Sequence, residues 1–179
     1  MSISPAFIQD VPLLVALINS AYRGEASKKG WTTEADLLKG DLRTDIPNLT
    51  QLMNNPQAVT LKYTTTEDVI RGSVYLEKQE RRLYLGMLSV SPTYQDGGIG
   101  KKLMSAAELY AKETDCLSIF INVISVRYEL IHWYEKLGYL KTGETKPLPP
   151  GNRFGTPSRP LEFVIMEKIL TDTNNSTPG

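Results

Sequence analysis

Hydrophobic residues in the middle of the chain first follow a two-residue period and then a helical one. Between Arg82 and Val90 both alternating sets are apolar, with Leu83, Leu85 and Met87 on one face and Tyr84, Leu88 and Val90 on the other. Such a run is typical of a central strand covered on both sides. After Pro92 the spacing becomes helical, at Ile99, Leu103, Ala106, Ala107 and Tyr110. The pattern therefore predicts a strand, a glycine-rich turn and a helix in succession.

The same patterns divide the rest of the chain into strands and helices. Strands are predicted at 2–7, 57–64, 69–77, 117–123, 139–142 and 161–170, in addition to 82–90. Further helices are predicted at 11–22, in a short segment that Gly40 ends, at 47–54 and at 126–137. Proline and glycine make 143–160 a predicted long loop, and polar residues 171–179 are expected to be a disordered tail.

Length and composition indicate one globular domain, which we expect to span residues 1–170. The chain has 179 residues, of which 41% are hydrophobic and 22% are charged. With 20 basic and 20 acidic residues the net charge is zero, so no broad charge favours nucleic acid or an anionic membrane. The N-terminal sequence has no signal-peptide pattern and no run is long enough to span a bilayer, so a cytoplasmic location is expected.

The glycine-rich turn before the helix is a candidate anion site. Unpaired N–H groups and the helix dipole favour negative charge at a helix start, and Gly97, Gly98 and Gly100 would let a phosphate approach the main chain, with Lys101 beside it. An ordinary tight turn explains the glycines equally well. A Walker A loop is excluded because Lys102 follows the Gly-Lys pair, and the dinucleotide fingerprint fails because its third glycine would be Leu103.

Two motifs resemble those of the GNAT superfamily, the acyl-CoA-dependent N-acetyltransferases. Gln95-x-x-Gly98-x-Gly100 after an apolar strand resembles its motif A, and His132 to Tyr139, HWYEKLGY, is similar to the F-Y-E-K-x-G-F ending of a later helix. The resemblance covers about residues 2–170. It implies an α/β (α+β) fold with a mixed, mostly antiparallel seven-stranded sheet flanked by helices. That sheet would be splayed between the fourth and fifth predicted strands, 82–90 and 117–123.

The resemblance also implies that acetyl-CoA lies in this opening and that no metal is needed. The pyrophosphate would then be held by Gln95, Asp96, Gly97, Gly98, Ile99, Gly100 and Lys101. Pantetheine would contact the main chain of Leu88, Ser89 and Val90, with an N–H near Leu88 aimed at the thioester oxygen. The expected partners are acetyl-CoA, an amine acceptor and a second copy of the chain in a homodimer.

The implied reaction is direct attack by an amine on the thioester, which needs one group to accept a proton and one to donate it. Tyr134 matches the tyrosine that the family places beside the CoA sulfur, so we expect it to be the general acid; otherwise it is a core tyrosine. Glu77 is taken as the general base, with Glu25, Glu34 and Tyr84 as alternatives that no motif separates. His132 lies roughly 200° round the helix from Tyr134 and should point away.

One position departs from the family pattern. Many GNAT sequences have an asparagine seven residues before the helix tyrosine, whereas this chain has Arg127 there and Asn122 on the preceding strand. We treat both Arg127 and Asn122 as candidate cofactor ligands. Arg127 could pair with a CoA phosphate or cap the helix.

The acceptor pocket is expected between Tyr22 to Asp45 and Glu144 to Pro160. Candidate groups are Arg23, Arg43 and Arg153 for a carboxylate, Glu25 and Glu34 for an ammonium, and Trp31 and Phe154 for an apolar group. This mixture suits the amine of a small molecule or peptide. The expected function is thus N-acetylation by acetyl-CoA, and the alternative is a CoA-binding sensor or interaction protein without turnover.

Overall fold

Seven strands form one sheet that is antiparallel except at one pair. The structure is a computed structural model that describes residues 2–94, 97–149, 151 and 153–170. In sheet order the strands are β1 (Ser2–Pro5), β3 (Ala58–Thr64), β4 (Ile70–Gln79), β5 (Arg82–Val90), β6 (Ser118–Ile124), β9 (Glu162–Ile169) and β7 (Leu140–Pro147). Only β5 and β6 are parallel. The predicted mixed, mostly antiparallel seven-stranded sheet is confirmed.

Helices cover both faces of this sheet. They are α1 (Val11–Tyr22), α2 (Gly24–Ser27), α3 (Ile46–Met53), α4 (Ile99–Glu113) and α5 (Tyr128–Lys136). The apolar stripes of α1 and α3 form one buried cluster with Tyr75 and Met87, whereas α4 and α5 form a larger cluster with the opposite face. Among the described residues, no helix is long and apolar enough to cross a membrane.

The sheet opens between β5 and β6. Their parallel pairing covers only Arg82–Ser118, Leu83–Ile119 and Tyr84–Phe120. Beyond Tyr84, β5 continues to Val90 and β6 to Ile124 without further pairing to each other. This is the splay expected between the fourth and fifth predicted strands, and it creates a cleft at the carboxyl ends of both.

A bulge in β5 changes which side chains face the cleft. The register with β4 passes from Ser73–Ser89 to Tyr75–Gly86, so Met87 and Leu88 together oppose one residue, and Met87 has a φ of 50°. Met87 consequently joins the α1 and α3 side, while Leu88 and Val90 pack with the α4 and α5 cluster. The strict alternation expected from the sequence is wrong here, because one extra residue reverses the faces.

Two local predictions also differ from the structure. The short helix expected before Gly40 is a turn, in which Leu37 and Leu38 donate main-chain hydrogen bonds to the Glu34 carbonyl. It leads into β2 (Leu38–Lys39), which pairs with β8 (Thr156–Pro157) inside the predicted long loop. The last strand pair also extends into that loop, because β7 continues to Pro147. The β2–β8 pairing places Thr156 and Pro157 beside Leu38 and Lys39.

Candidate active site

Two cavities meet at the open edge of β5. The first, the glycine-side cavity, has a volume of about 320 Å³ and is lined by the α4 start, Trp31, Thr32, Val90 and Trp133. The second, the arginine-side cavity, has a volume of about 290 Å³. Its walls include three arginines, Glu34, Tyr84, Leu148, Pro149, Phe154 and Gly155. Their walls share Tyr22, Leu88, Arg127, Leu130 and Tyr134. A molecule that reaches from one cavity to the other must therefore pass Leu88 and Tyr134.

The start of α4 supplies the main-chain donors of the glycine-side cavity. Gly98 is the residue before the helix and has a left-handed backbone, with a φ of 67° that favours glycine. The first N–H groups of the helix have no carbonyl partner within it, and the helix dipole adds positive charge there. Gly98 and Gly100 line the cavity beside the side chain of Lys101. These groups can bind a diphosphate.

The aromatic wall of the same cavity comes from α5 and from the loop after α2. A Cβ on Gly100 would lie 3.4 Å from Cζ2 of Trp133, an ordinary van der Waals distance, so the helix start lies directly beside this ring. The rings of Trp133 and Trp31 have their centroids 6.1 Å apart. The cavity therefore combines an anion-binding end with an apolar, aromatic side, which fits a diphosphate attached to an extended chain.

Leu88 marks the point at which the two cavities join. Its carbonyl oxygen accepts a hydrogen bond of 2.9 Å from the Tyr22 hydroxyl, which ties the end of α1 to the end of β5. Burial raises the pKa of Tyr22 to about 12, and the positive charge of Arg43 opposes that shift. Because the Tyr22 hydroxyl stays protonated at neutral pH, this donor persists and fixes one wall of the junction.

Tyr134 lies at the same junction, on the buried side of α5. The residue is only 5% exposed, and its ring packs edge-on against those of Trp133 and Tyr139, with centroids 5.1 and 5.8 Å away. Burial strongly raises the pKa of its hydroxyl, with a smaller contribution from Tyr22. The group is therefore a proton donor at neutral pH. His132, two residues earlier, is exposed and points away, as the helical spacing predicts.

A buried ion network forms the far wall of the arginine-side cavity. Glu34 accepts from Nε of Arg23 at 3.0 Å and from Nη1 of Arg127 at 3.2 Å, and all three residues are at least 94% buried. Arg127 also donates to the Thr32 hydroxyl at 2.7 Å. Arg23 further donates to the carbonyls of Leu42 and Phe154, so it links this network to two other parts of the cavity region.

This network gives Arg127 a role that the sequence left open. Its guanidinium is engaged by Glu34 and Thr32, and no side-chain bond caps α5. Its Nε is buried and has no hydrogen-bond partner among the described residues. Arg127 lines both cavities, so it lies close enough to the site to remain a candidate cofactor ligand.

The predicted cofactor residues differ in their position relative to the cavities. Those that line the glycine-side cavity are Leu88, Val90, Gly98, Gly100, Lys101, Arg127 and Tyr134. Asn122 lines the arginine-side cavity, and its Oδ1 has no partner among the described residues. Ser89 and Ile99 are buried: the Ser89 hydroxyl donates to the Met87 carbonyl, and Ile99 packs in the core. Only the main chains of these two residues can therefore contact the cofactor. Gly97 is exposed at the turn. Gln95 and Asp96 lie outside the described residues.

The structure does not bring Glu77 into either cavity. Its carboxylate accepts from Asn55 at 3.0 Å, from the Tyr75 hydroxyl at 2.8 Å and from Gln79 at 2.7 Å, on the α3 side of the sheet. These three hydrogen bonds hold the Glu77 carboxylate away from the junction of the cavities. Sequence reasoning could not detect this, since it depends on the order of the strands, in which β4 lies one strand further than β5 from the opening.

The other base candidates differ in position. Glu25 is 90% exposed and pairs with Lys28, whereas Glu34 lines the arginine-side cavity but is held by two arginines. Tyr84 lines that cavity, and the pKa of its hydroxyl is raised by burial and lowered in part by Arg43. Tyr84 is therefore the alternative that lines a cavity without an ion pair holding it.

Sequence reasoning missed Tyr22 and Trp133 as site residues. The sequence pattern places Tyr22 only in an apolar helix stripe and Trp133 only within a motif. Both were detectable in principle, because Tyr22 ends the helix at the predicted acceptor wall and Trp133 precedes Tyr134. Trp31 is expected from the sequence to contact the acceptor, but it lines the glycine-side cavity instead.

Comparison with known proteins agrees with this geometry. A sequence profile described as the acetyltransferase (GNAT) family matches residues 22–139. The chain is 25% identical over 125 residues to N-acetyltransferase 8B of Homo sapiens, and the alignment covers 66% of this chain and 54% of that protein. The chain thus spans about half the length of the curated relative that it matches.

Solved structures share the fold over nearly the whole chain. The ribosomal-protein-alanine N-acetyltransferase from Brucella melitensis is similar with a TM-score of 0.70 at 21% identity, covering 95% of this chain and all of the other. The yncA protein from Salmonella typhimurium, whose structure contains its cofactor acetyl-CoA, has a TM-score of 0.67 at 19% identity, with coverage of 100% and 98%. At these identities the likeness concerns the fold.

Proposed function

Since the chain belongs to the acetyltransferase (GNAT) family, we propose that it transfers the acetyl group of acetyl-CoA to the amine of a small molecule or peptide. The observation that carries this proposal is the position of Leu88 and Tyr134. Both lie where a cavity with a glycine-rich helix start meets a cavity that is open to a second molecule. Acetyl-CoA would supply an activated acetyl thioester, and the acceptor would supply the nitrogen.

Each wall residue then has a defined task. The main chain at Gly98 to Lys101 holds the diphosphate, and Trp133 and Val90 contact the apolar part of the cofactor. The main chain at the β5 bulge around Leu88 is available to stabilise negative charge on the thioester oxygen. Loss of one such fixed donor typically costs about 3 kcal/mol of transition-state stabilisation.

Proton transfer is assigned to two hydroxyl groups. Tyr134 donates a proton to the departing CoA sulfur, because its raised pKa keeps the phenol protonated. An alkyl amine with a pKa near 10 is mostly charged at neutral pH, so its proton must leave before attack. Tyr84 is the nearest cavity-lining group that can relay this proton towards solvent, directly or through water.

A thiol-release assay with acetyl-CoA tests the proposal. The purified protein is assayed against polyamines, amino acids, aminoglycosides and peptides, and free CoA is measured. We expect amine-dependent release with at least one class, together with stabilisation of the protein by acetyl-CoA on heating. Absence of both effects across the panel would refute the proposal.

One observation favours the alternative of a CoA-binding protein without turnover. Among the described residues that line the two cavities, the only carboxylate is Glu34, and it is committed to Arg23 and Arg127. Such a protein would bind acetyl-CoA through the glycine side and use the arginine side for a regulatory ligand. It would therefore show binding of acetyl-CoA but no release of thiol.

Tyr134→Phe separates the two functions. If Tyr134 is the general acid, kcat should fall by about 100-fold or more, while the Kd for CoA changes little, because the ring and its packing remain. Wild-type kcat should also persist into mildly alkaline solution, since the raised pKa keeps Tyr134 protonated there.

The matched control is Tyr139→Phe. Tyr139 is also a buried tyrosine of the same cluster, and its hydroxyl has no partner among the described residues, but it lines neither cavity. We expect near-wild-type turnover from this variant. Equal turnover of Tyr134→Phe and wild type would remove Tyr134 from the mechanism.

A further inference from the structure

The arginine-side cavity has more positive than negative charge in its walls. Three arginines line it, namely Arg23, Arg43 and Arg127, and Glu34 is the only carboxylate among the described residues that do so. The two oxygens of Glu34 are taken by Arg23 and Arg127. The cavity is therefore left with an excess of cationic groups, of which Arg43 is the one not engaged by Glu34.

Arg43 has no carboxylate within ion-pair distance among the residues that the structure describes. This distinguishes it from Arg82 and Arg153, which pair with Glu167 at 2.6 Å and with Asp45 at 3.0 Å. Arg43 is half-buried and lines the cavity, so its guanidinium has lost part of its hydration without gaining an anion. A bound anion would supply the missing partner.

The main chain at Arg43 is fixed in place by α1. The Oδ1 atom of Asn19 accepts from the N–H of Arg43 at 2.6 Å and from that of Thr44 at 3.0 Å. The amide of Asn19 also donates to the Thr44 carbonyl at 3.0 Å. This arrangement holds the segment rigidly, so the side chain of Arg43 starts from a defined position.

The guanidinium itself is placed over Tyr22. Its Cζ atom lies 5.5 Å from the centroid of that ring, whose hydroxyl reaches the Leu88 carbonyl. The charge of Arg43 also acts on the hydroxyls of Tyr22 and Tyr84, lowering both pKa values against the effect of burial. Arg43 is thus close to the junction where an acceptor nitrogen would meet the thioester.

Resting on the proposed function, we propose that the acceptor is an amino acid whose carboxylate binds Arg43 while its amine lies near Leu88 and Tyr84. The forked guanidinium suits a carboxylate, which it can bind with two parallel hydrogen bonds. A simple cationic amine would be repelled by the cavity, whereas an amino acid brings its own negative charge. The apolar walls at Leu38, Leu148 and Phe163 leave room for its side chain.

Equilibrium binding tests this inference independently of turnover. Protein saturated with CoA is titrated by calorimetry with each of the common amino acids and with the corresponding primary amide. The two members of a pair differ at the carboxylate, and we expect at least one amino acid to bind tenfold or more tightly than its amide. The inference is overturned if every amide binds as well as its acid, or if no amino acid binds and short peptides do.

Variants of Arg43 then assign the effect to its side chain. We expect Arg43→Gln to weaken binding of the preferred amino acid tenfold or more and to change binding of its amide less than twofold. Arg43→Lys keeps the charge without the fork and should give an intermediate loss. The control is Arg82→Gln, which removes an arginine that pairs with Glu167, lines neither cavity and should leave binding unchanged.

The outcome separates the two proposals. Tight, Arg43-dependent binding of an amino acid without any thiol release would support a carboxylate site at Arg43 and would overturn the assignment of that amino acid as the acceptor. Thiol release with amines and amides, but with no preference for acids in wild type, would support acetyl transfer and overturn the inference. The wild-type comparison decides the matter even if Arg43→Gln does not fold.

Discussion

The two cavities are lined by different kinds of chemical groups. The glycine side relies on the main chain at the start of α4 and on apolar rings. The charged residue that it does not share with the arginine side, Lys101, is exposed. The arginine side relies on buried charges, with Arg23, Glu34 and Arg127 joined in one network. A ligand bound by main-chain groups tolerates many changes of side chain, whereas a site made of buried charges depends on each member. The first side suits a constant cofactor and the second a particular acceptor.

The largest expected effect is on the arginine side. Glu34→Gln leaves two buried guanidinium groups without a negative partner, and removal of one member of a buried ion pair typically costs about 3 kcal/mol or more. We expect a loss of that size in the free energy of unfolding, measured by urea denaturation. The acceptor cavity should lose its structure first because Arg23 also donates to the carbonyl of Phe154, which lines this cavity.

The control for this variant is Glu25→Gln. Glu25 also pairs with a cation, Lys28, but its side chain is 90% exposed. Surface ion pairs contribute little, so the unfolding free energy should stay within experimental error. A loss below about 1 kcal/mol for Glu34→Gln would mean that the network adds little to stability and that the contrast between the two sides is overstated.

The next effect concerns the glycine side. Gly98→Ala places a methyl group at the start of α4 and forces alanine into a left-handed backbone, which costs about 1 kcal/mol. We expect the Kd for acetyl-CoA to rise about tenfold, equivalent to roughly 1.4 kcal/mol of binding free energy. Calorimetric titration with acetyl-CoA measures this change.

Gly143→Ala provides a matched comparison. Gly143 also has a positive φ, 91°, and no described atom beyond its chain neighbours lies within 4 Å of the position that an alanine methyl group would take. It lies on β7, however, and lines neither cavity. The variant should lose similar stability and keep the wild-type Kd. Equal affinities of both variants would show that the α4 start does not hold the cofactor.

The smallest effect is expected where the two sides join. Tyr22→Phe removes the hydrogen bond to the Leu88 carbonyl and keeps the ring beneath Arg43. A single hydrogen bond contributes about 1 kcal/mol, so kcat/KM should fall roughly fivefold. Tyr110→Phe, on α4 and outside both cavities, is the control and should leave kcat/KM unchanged. If Tyr22→Phe loses affinity only for acetyl-CoA or only for the acceptor, Tyr22 contributes to one cavity rather than to the junction between them.

The two sides also differ in how far the sequence predicts them. Strand periodicity, the glycines and the helix spacing are local signals, so β5 and α4 were predicted correctly, whereas the opening beside them was expected from the family resemblance. Glu34 binds Arg127 across 93 residues of sequence, and no local pattern indicates such a pair. The prediction of a short helix before Gly40 was wrong because of another long-range contact, in which Leu38 pairs with Pro157 from a distant segment.

The bulge in β5 shows a further limit of sequence reasoning. Alternation correctly predicted a strand covered on both faces, but one extra residue moved Met87 to the opposite face and Leu88 towards the cleft. No glycine or proline marks this bulge at Met87 itself, although Gly86 precedes it. Similarly, Glu77 and Tyr84 are register partners on adjacent strands, yet only Tyr84 lines a cavity.

The most direct test of the central claim is a crystal structure of the protein with coenzyme A. The account predicts the diphosphate on the main-chain N–H groups at the start of α4 and the pantetheine arm beside β5, with the sulfur between Leu88 and Tyr134. Coenzyme A bound elsewhere, with the α4 start in contact only with solvent or with the protein's own side chains, would contradict it.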